Sequence, residues 1–115
     1  VAPLAPGDLA AGSLATYLHP PFFDDPALAE PFRRVSRGAA TIRMLGSGSV
    51  DLASVACGIH SVWTQHSCPE WDWLPGRAVV EGAGGVSTTV EVNGYDWFVA
   101  GRRGAVEQAV ALLRG

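Results

Sequence analysis

Apolar and polar positions alternate in short blocks along the chain, and glycine or proline separates most of the blocks. Short runs rich in β-branched and aromatic residues are typical of strands, whereas longer runs with apolar residues three and four positions apart are typical of helices. The pattern predicts strands over residues 14–18, 41–45, 59–66, 86–92 and 95–100. It predicts helices over residues 26–30, 50–57, 71–83 and 105–113.

Turn and cap residues mark the ends of these elements. Asp24 or Asp25 is expected to cap the first helix. Pro31 interrupts the helical pattern, so the residues after it form either a separate turn or a kinked continuation of the helix. Asn93-Gly94 is a dipeptide typical of a tight hairpin turn. The order of elements predicts an α/β domain in which helices cover a layered mixed sheet.

The most distinctive stretch is the predicted helix over residues 71–83. Asp72 lies at its start, where free backbone N–H groups and the helix dipole favour an anion, and Gly84-Gly85 provides the positive φ that ends a helix. Leu74 and Val79 leave little polar surface, so this helix is expected to be largely buried. Asp72 is therefore either a structural cap or a functional carboxylate at the mouth of a buried helix.

A second candidate site is the turn Gly46-Ser47-Gly48-Ser49, which joins a predicted strand to a predicted helix. Such a turn points free backbone N–H groups at a ligand oxygen, with Ser47 or Ser49 as the N-cap. The turn lacks the lysine of a P-loop and the third glycine of a dinucleotide fold. As a phosphate-binding motif it is weak without further support.

Composition narrows the function classes. The chain has 115 residues, enough for one small domain, and a formal charge of −3 without long basic runs, so neither a nucleic-acid nor a membrane partner is expected. All eight basic residues are arginine, a usage typical of GC-rich bacteria such as actinobacteria. Cys57 and Cys68 lack metal-ligand spacing and are expected to be reduced and buried in a cytoplasmic protein. His60 and His66 also match no metal-binding spacing.

The first twelve residues differ in character from the rest. The chain begins with Val1 rather than Met and carries Pro3, Pro6 and Gly7 within its first turn-rich stretch. We therefore expect residues 1–12 to be a linker or the continuation of a missing N-terminal half, and residues 13–115 to form the domain.

Two sets of residues together resemble the inositol monophosphatase family, which contains magnesium-dependent, lithium-sensitive phosphomonoesterases. The first set is Trp71-Asp72, Gly76 and Ala83-Gly84-Gly85. The second set is Arg43, Leu45-Gly46-Ser47, Asp51-Leu52-Ala53 and Ala56-Cys57-Gly58. The resemblance covers the chain from about residue 10 and implies the C-terminal half of the αβαβα fold of that family.

The resemblance implies roles for particular residues. Asp72 matches an aspartate that binds metal and helps to hold substrate, which implies Mg²⁺ as cofactor. Gly46, Ser47 and Gly48 match the triplet that contacts hydroxyls of the sugar or inositol ring. Gln65 stands seven residues before Asp72, where many members carry a substrate-binding Glu. Its amide can still accept a hydrogen bond, although it cannot attract a cation.

The implied activity is Mg²⁺-dependent hydrolysis of a small phosphate monoester, with inositol 1-phosphate as the first choice of substrate. Histidinol phosphate, fructose bisphosphate and a nucleotide bisphosphate are alternatives within the phosphatases. A non-catalytic binding or assembly module is the alternative from another class. The acidic motifs that supply the remaining metal ligands in this family do not occur here, so the segment alone is expected to be inactive. The family also implies a homodimer.

Overall fold

Strands and helices alternate along the computed structural model, which describes residues 3–115. The strands are β1 (Ser13–Thr16), β2 (Thr41–Arg43), β3 (Val62–His66), β4 (Val86–Val92) and β5 (Tyr95–Gly101). The helices are α1 (Pro26–Gly38), α2 (Gly48–Ala56), α3 (Glu70–Gly82) and α4 (Arg103–Arg114). Short 3-10 helices cover Leu9–Ala11 and Pro20–Asp24.

The strands form one mixed sheet in the order β2-β1-β3-β5-β4. β1 pairs in parallel with β2 and β3, whereas β5 is antiparallel to both β3 and β4. Asn93 and Gly94 both have positive φ, as a two-residue hairpin between β4 and β5 requires. The predicted α/β fold with a mixed sheet is therefore confirmed.

Helices cover both faces of the sheet because side chains alternate along each strand. Leu14 and Val62 lie in a core that contains the buried residues of α1 and α4. Their neighbours Ala15 and Trp63 lie in a second core that contains the buried residues of α2 and α3. The sheet thus forms the middle of three layers, and the α2–α3 layer carries both sequence-predicted site segments.

Three strands are shorter than predicted. β1 is expected over residues 14–18 but covers Ser13–Thr16. β2 was expected over residues 41–45 but pairs at three register positions only, and Leu45 beyond its end is 65% exposed. β3 was expected from residue 59 but begins at Val62, and Ile59 is 67% exposed. The apolar residues Leu45 and Ile59 continue the strand-like sequence pattern, although the backbone at these positions is not paired in the sheet.

Helix α1 continues through Pro31 to Gly38. The Oδ1 atom of Asp25 caps its start by accepting a hydrogen bond from the Ala27 N–H at 3.1 Å. Pro31 has no N–H to donate to the carbonyl oxygen of Ala27 four residues earlier. The side-chain amide of Asn93, in the β4–β5 hairpin, donates to that oxygen at 3.1 Å instead. The continuation of the helix is thus supported by a residue distant in sequence.

The expectation that the third helix is largely buried is wrong. In α3 the buried residues are Trp73, Gly76 and Val80, which form one stripe spaced three and four residues apart. Leu74 and Val79 are 52% and 51% exposed. The helix packs against the sheet and α2 along that stripe only, so the apolar residues beside it remain at the surface.

The first described residues pack against the domain. Leu9 is buried, and its N–H donates to Oε1 of Gln108 in α4 at 2.6 Å. The N–H of Leu4 donates to the carbonyl oxygen of Ala83 at 2.8 Å. Val1 and Ala2, the first residues of the predicted linker, lie outside the described residues. The boundary at residue 12 and the origin of this segment stay predictions.

The two cysteines and His60 differ in their exposure. Both cysteines are free thiols and Cys68 is buried, but Cys57 is exposed at the end of α2, so the expectation that it is buried is wrong. His60 is buried and forms a hydrogen bond with Oγ of Ser13 at 2.9 Å. Within residues 3–115, no helix is long and apolar enough to cross a membrane.

Candidate active site

The candidate site lies at the carboxyl edge of the parallel strands. β1, β2 and β3 run in the same direction, so the segments that follow them meet at one edge of the sheet. α2 begins after β2 and α3 begins after β3. Open α/β sheets bind ligands at this edge, where helix N-termini present free N–H groups.

Asp72 occupies the first turn of α3 and is partly exposed. Its Oδ1 atom accepts a hydrogen bond from Oγ of Ser49, in the first turn of α2, at 2.6 Å. The Cβ position of Gly48 lies 3.6 Å from Cβ of Asp72 and 3.8 Å from its Oδ2 atom. The carboxylate therefore lies directly against the glycine–serine turn, 23 residues away in the sequence.

The turn between β2 and α2 adopts a backbone conformation that requires glycine at one position. Gly46 has a φ of +79°, which L side chains rarely adopt, and its Cβ position lies 3.5 Å from Cε1 of Tyr17. Ser47 is the N-cap of α2 but makes no side-chain capping hydrogen bond. Ser47 is exposed and Gly48 is partly exposed, so this backbone is accessible beside Asp72.

Gln65 lies near the carboxyl end of β3 and is partly exposed. It occupies the same face of the sheet as Trp63, two residues earlier, and Trp63 stacks on Trp73 of α3 with ring centroids 5.8 Å apart. Gln65 is thus on the α2–α3 face, as Asp72 is. The Gln65 amide makes no hydrogen bond to the Asp72 carboxylate, which is paired with Ser49.

Cys68 lies close to Asp72 in the segment between β3 and α3. Burial, and secondarily the negative charge of Asp72, raise the pKa of the Cys68 thiol to about 11. The thiol is therefore protonated at neutral pH, and its Sγ points to the carbonyl oxygen of Pro69 at 3.6 Å. A protonated thiol is neither a nucleophile nor a metal ligand.

Asp51 is a second carboxylate near this edge, in the first turn of α2, but it faces inwards. It is 1% exposed, and neither carboxylate oxygen has a hydrogen-bond partner among the described residues. Burial raises the pKa of the Asp51 carboxyl, and the charge of His60 partly offsets this rise. Asp51 is thus a buried group behind the site and is not exposed to a ligand there.

The side chains at this edge of the sheet meet only part of what Mg²⁺ requires. Asp72 offers a carboxylate oxygen, the kind of ligand that Mg²⁺ prefers, and one or two protein carboxylates with phosphate and water oxygens are usual. Within residues 3–115, no group of three or more His, Cys, Asp or Glu side chains could enclose a metal ion. The residues present fit one protein ligand of a Mg²⁺ ion and do not form a complete cage.

Two residues beside the site make contacts that the sequence does not predict. The sequence indicates Ser49 only as an N-cap, yet its hydroxyl donates to Asp72. It places Tyr17 only in a strand, yet the ring of Tyr17 packs against Gly46. The second serine of Gly46-Ser47-Gly48-Ser49 is a sequence signal for the role of Ser49. The sequence contains no signal that brings Tyr17 to the turn.

Comparison with known proteins shows which family the chain resembles along its length. The model of the inositol monophosphatase family matches residues 8–113. The chain is 32% identical to the inositol-1-monophosphatase of Caulobacter vibrioides over 63 residues, which cover 55% of this chain and 25% of that protein. It is 39% identical to the inositol-1-monophosphatase ImpA of Mycolicibacterium smegmatis over 70 residues, which cover 61% of this chain and 25% of that protein.

Solved structures share the fold. A Staphylococcus aureus inositol monophosphatase II bound to inositol monophosphate superposes with a TM-score of 0.80 and 21% identity, covering 98% of this chain and 46% of that chain. An inositol monophosphatase from Anabaena gives a TM-score of 0.75 and 23% identity, covering 97% of this chain and 48% of that chain. The chain spans just under half the length of these structures. Because the family model covers nearly all of it, the chain belongs to the inositol monophosphatase family.

Proposed function

We propose that the protein containing this chain hydrolyses a small phosphate monoester with Mg²⁺, and that Asp72 is one ligand of the metal. The observation that supports this most directly is the position of the Asp72 carboxylate, held by Ser49 at 2.6 Å against the N-terminus of α2. A carboxylate oxygen and free N–H groups then face the same space. This combination suits a metal ion and a phosphate bound next to each other.

The residues of this chain have separate tasks in the proposal. The backbone of Gly46, Ser47 and Gly48 contacts the alcohol part of the ester, and Gly48 leaves room for it beside Asp72. The Gln65 amide adds a neutral hydrogen-bonding group on the same face of the sheet. When bound, Mg²⁺ neutralises charge on the phosphate and activates water for attack. Further carboxylate ligands must come from outside this chain.

We propose inositol 1-phosphate as the first choice of substrate, because two of the relatives described above are named inositol-1-monophosphatases. The Staphylococcus aureus enzyme is described with inositol monophosphate and also with 2′-AMP bound. Sugar phosphates, histidinol phosphate, fructose bisphosphate and nucleotide bisphosphates therefore stay alternatives. We also propose a cytoplasmic location and a homodimer.

A non-catalytic binding or assembly module is the second candidate. It is favoured by the single carboxylate that the described residues contribute and by the uncharged Gln65. Gly82 stands where the resemblance implies an acidic residue before Ala83-Gly84-Gly85. No atom lies within 4 Å of its Cβ position, so this departure changes no packing. The two candidates differ in whether the complete protein releases phosphate.

The test measures phosphate release by the complete protein from a panel of monoesters, with and without Mg²⁺. We expect release that requires Mg²⁺ and that Asp72→Asn reduces by about 100-fold or more, since a lost charged ligand weakens both metal and phosphate binding. Glu70→Gln is the matched control, because Glu70 is an exposed carboxylate in the same first turn. No release from any ester, with intact folding, would favour the non-catalytic module.

A further inference from the structure

A groove on the face of the sheet opposite to Asp72 has no role in the proposed phosphatase function. It lies between α1 and β2, the edge strand of the sheet, and its volume is about 490 Å³. This volume is within the range of small-molecule sites in proteins. The apolar residues that line the groove are Phe23, Ala29, Phe32, Ala39 and Ile42.

The apolar lining is held by the core of the domain. Phe32 is 9% exposed, and Ile42 packs against the core that α1 shares with α4. The rings of Phe23 and Phe32 have centroids 6.1 Å apart and are inclined at 39°. Phe23 nevertheless remains 49% exposed, while Ala29 and Ala39 contribute only methyl groups. The groove therefore offers apolar surface on which a hydrocarbon group could leave water.

Two arginines of α1 line the same groove. Arg33 and Arg37 are four residues apart, so they are neighbours on one side of the helix. Both are exposed, and among residues 3–115 the one salt bridge is Arg77–Glu81. Like charges at this spacing repel each other within a helix. The groove thus combines an apolar lining with two positive charges that no carboxylate of the described residues neutralises.

The polar residues between these arginines differ in whether they have partners. Arg34 donates from Nε and Nη2 to the carbonyl oxygens of Leu112 and Leu113 in α4, each at 2.7 Å, so it has a structural role. Ser36 lines the groove, and its buried Oγ has no hydrogen-bond partner among the described residues. A buried hydroxyl without a partner costs free energy. An acceptor bound between the two arginines would give this hydroxyl a partner.

We propose that this groove binds an amphiphilic carboxylate, an aliphatic chain that ends in one carboxylate group, at a site separate from the phosphatase site. The carboxylate lies between Arg33 and Arg37, because planar guanidinium groups match the two oxygens of a carboxylate. The chain lies along Phe23, Phe32 and Ile42. The charges select an anion, and the apolar lining selects an anion with a hydrocarbon body over acetate or inorganic phosphate.

The test measures the dissociation constants of butanoate, hexanoate and octanoate for the complete protein by calorimetry. A fully buried methylene group strengthens binding about fourfold, so we expect at least about a twofold gain for each methylene in this open groove. Octanoate should also bind at least about tenfold more tightly than 1-octanol, which lacks the charge. Equal binding of the three acids, or no binding of octanoate to the folded protein, would overturn the proposal.

Arg37→Gln tests the part of the groove that binds the carboxylate. It should remove most of the preference for octanoate over 1-octanol, because it removes one of the two charges. Arg43→Gln is the matched control. Arg43 is exposed and follows Ile42 on β2, but it pairs with Ala15 of the other core and so lies on the opposite face of the sheet. Equal losses of octanoate binding in the two variants would contradict a specific carboxylate site.

Phe23→Ala tests the apolar part. It should reduce the gain in affinity for each added methylene, because the chain loses the exposed ring on which it lies. Phe22→Ala is the matched control, since Phe22 is the preceding residue, is 38% exposed and packs on His19 and His66 instead of lining the groove. It should leave all three dissociation constants unchanged. The same reduction in both variants would argue against binding in the groove.

Asp72→Asn distinguishes this groove from the candidate active site. It should leave octanoate binding unchanged, because Asp72 lies in the helix layer on the other side of the sheet. Loss of octanoate binding in this variant would place the ligand at the candidate active site and overturn the proposal. Sedimentation velocity tests a different occupant. If octanoate does not bind and Phe23→Ala dissociates a dimer, a second copy of the chain covers the groove and the proposal is wrong.

Discussion

The thiols of Cys57 and Cys68 differ in burial and in nearby charge, and their reactivity should differ accordingly. Cys57 is exposed, whereas burial and the charge of Asp72 raise the pKa of Cys68 to about 11. Since the thiolate is the reactive form, iodoacetamide at about pH 8 should modify Cys57 and leave Cys68 unmodified in the folded chain. Peptide mass spectrometry measures this directly. Both residues should react in denaturant, and similar labelling of the two in the folded chain would contradict the prediction.

The buried carboxyl of Asp51 should make stability depend on pH. Because burial raises its folded-state pKa above the ordinary value of 3.8, its contribution to stability is fully present below that value and is lost as the pH rises through the folded-state pKa. Asp51→Asn cannot lose a proton, so its free energy of unfolding relative to wild type should increase from about pH 4 to about pH 7.

Urea unfolding at several pH values measures this difference. Asp96→Asn is the control, because Asp96 is an exposed carboxylate on β5 and remains in water on folding. A difference between Asp51→Asn and wild type that stays constant with pH would contradict the proposed effect of burial.

At the residue scale, some roles could be predicted from the sequence and others could not. The first-turn position of Asp72 and the positive φ of Gly84 after α3 follow from local backbone chemistry, as the sequence predicts. The exposure of Cys57 and the burial of Asp51 do not, because a helical pattern gives the spacing of side chains but not the direction of the face that is covered.

At the scale of elements, α2 and α3 pack closely against each other. Gly76 is buried in α3, and a Cβ added there would collide with the side chain of Leu52 in α2, which is fully buried. Gly76→Ala should therefore destabilise the chain by roughly 1–3 kcal/mol. It should also weaken binding at the site, because the two helices carry Ser49 and Asp72 in their first turns.

Gly82→Ala is the matched control for Gly76→Ala. Gly82 lies in the same helix, and nothing lies within 4 Å of its Cβ position. This substitution should leave the free energy of unfolding unchanged or raise it by up to about 1 kcal/mol, since alanine has the higher helix propensity. Denaturant unfolding of both variants tests the assignment, and equal losses at the two positions would contradict it.

The continuity of α1 should depend on the hairpin that packs beside it. Asn93→Asp retains a residue that tolerates positive φ but removes the amide that donates to the carbonyl oxygen of Ala27. We expect a loss of roughly 1 kcal/mol in the free energy of unfolding. In a Pro31→Ala background the residue 31 N–H can donate to the same oxygen, so the loss should be smaller. Equal losses in the two backgrounds would show that Asn93 does not compensate for Pro31.

Elements that local sequence specifies could be predicted, whereas elements that depend on distant contacts could not. Asn93-Gly94 and the β-branched run before it specify the β4–β5 hairpin locally. The passage of α1 through Pro31 depends on an amide 66 residues away from Ala27, which no local pattern contains. The ring contacts that lead from Tyr17 through His19 and Phe22 to His66 likewise join distant parts of the chain, so only the folded chain shows them.

At the scale of the whole molecule, the site is open on one side. Trp71 and Leu74 flank Asp72 in α3 and are 79% and 52% exposed. The chain spans 46% of the Staphylococcus aureus structure that it matches. Exposed apolar surface beside the carboxylate that we propose as a metal ligand fits our proposal that further ligands come from outside this chain.

Because Asp72 is the one metal ligand that we propose within the described residues, a prediction follows for the chain alone. Phosphate-ester hydrolysis with metal ions requires that both the attacking water and the leaving oxygen be stabilised, which one carboxylate cannot arrange. The 115-residue chain alone should therefore release no phosphate from inositol 1-phosphate above a Mg²⁺-only blank, even at high protein concentration. Calorimetric binding of the same ester should persist and should weaken in Asp72→Asn, because Asp72 and the glycine turn are already assembled here. Steady turnover by the pure chain would show that the described residues suffice for catalysis, and the division of ligands between this chain and the rest of the protein would then be wrong.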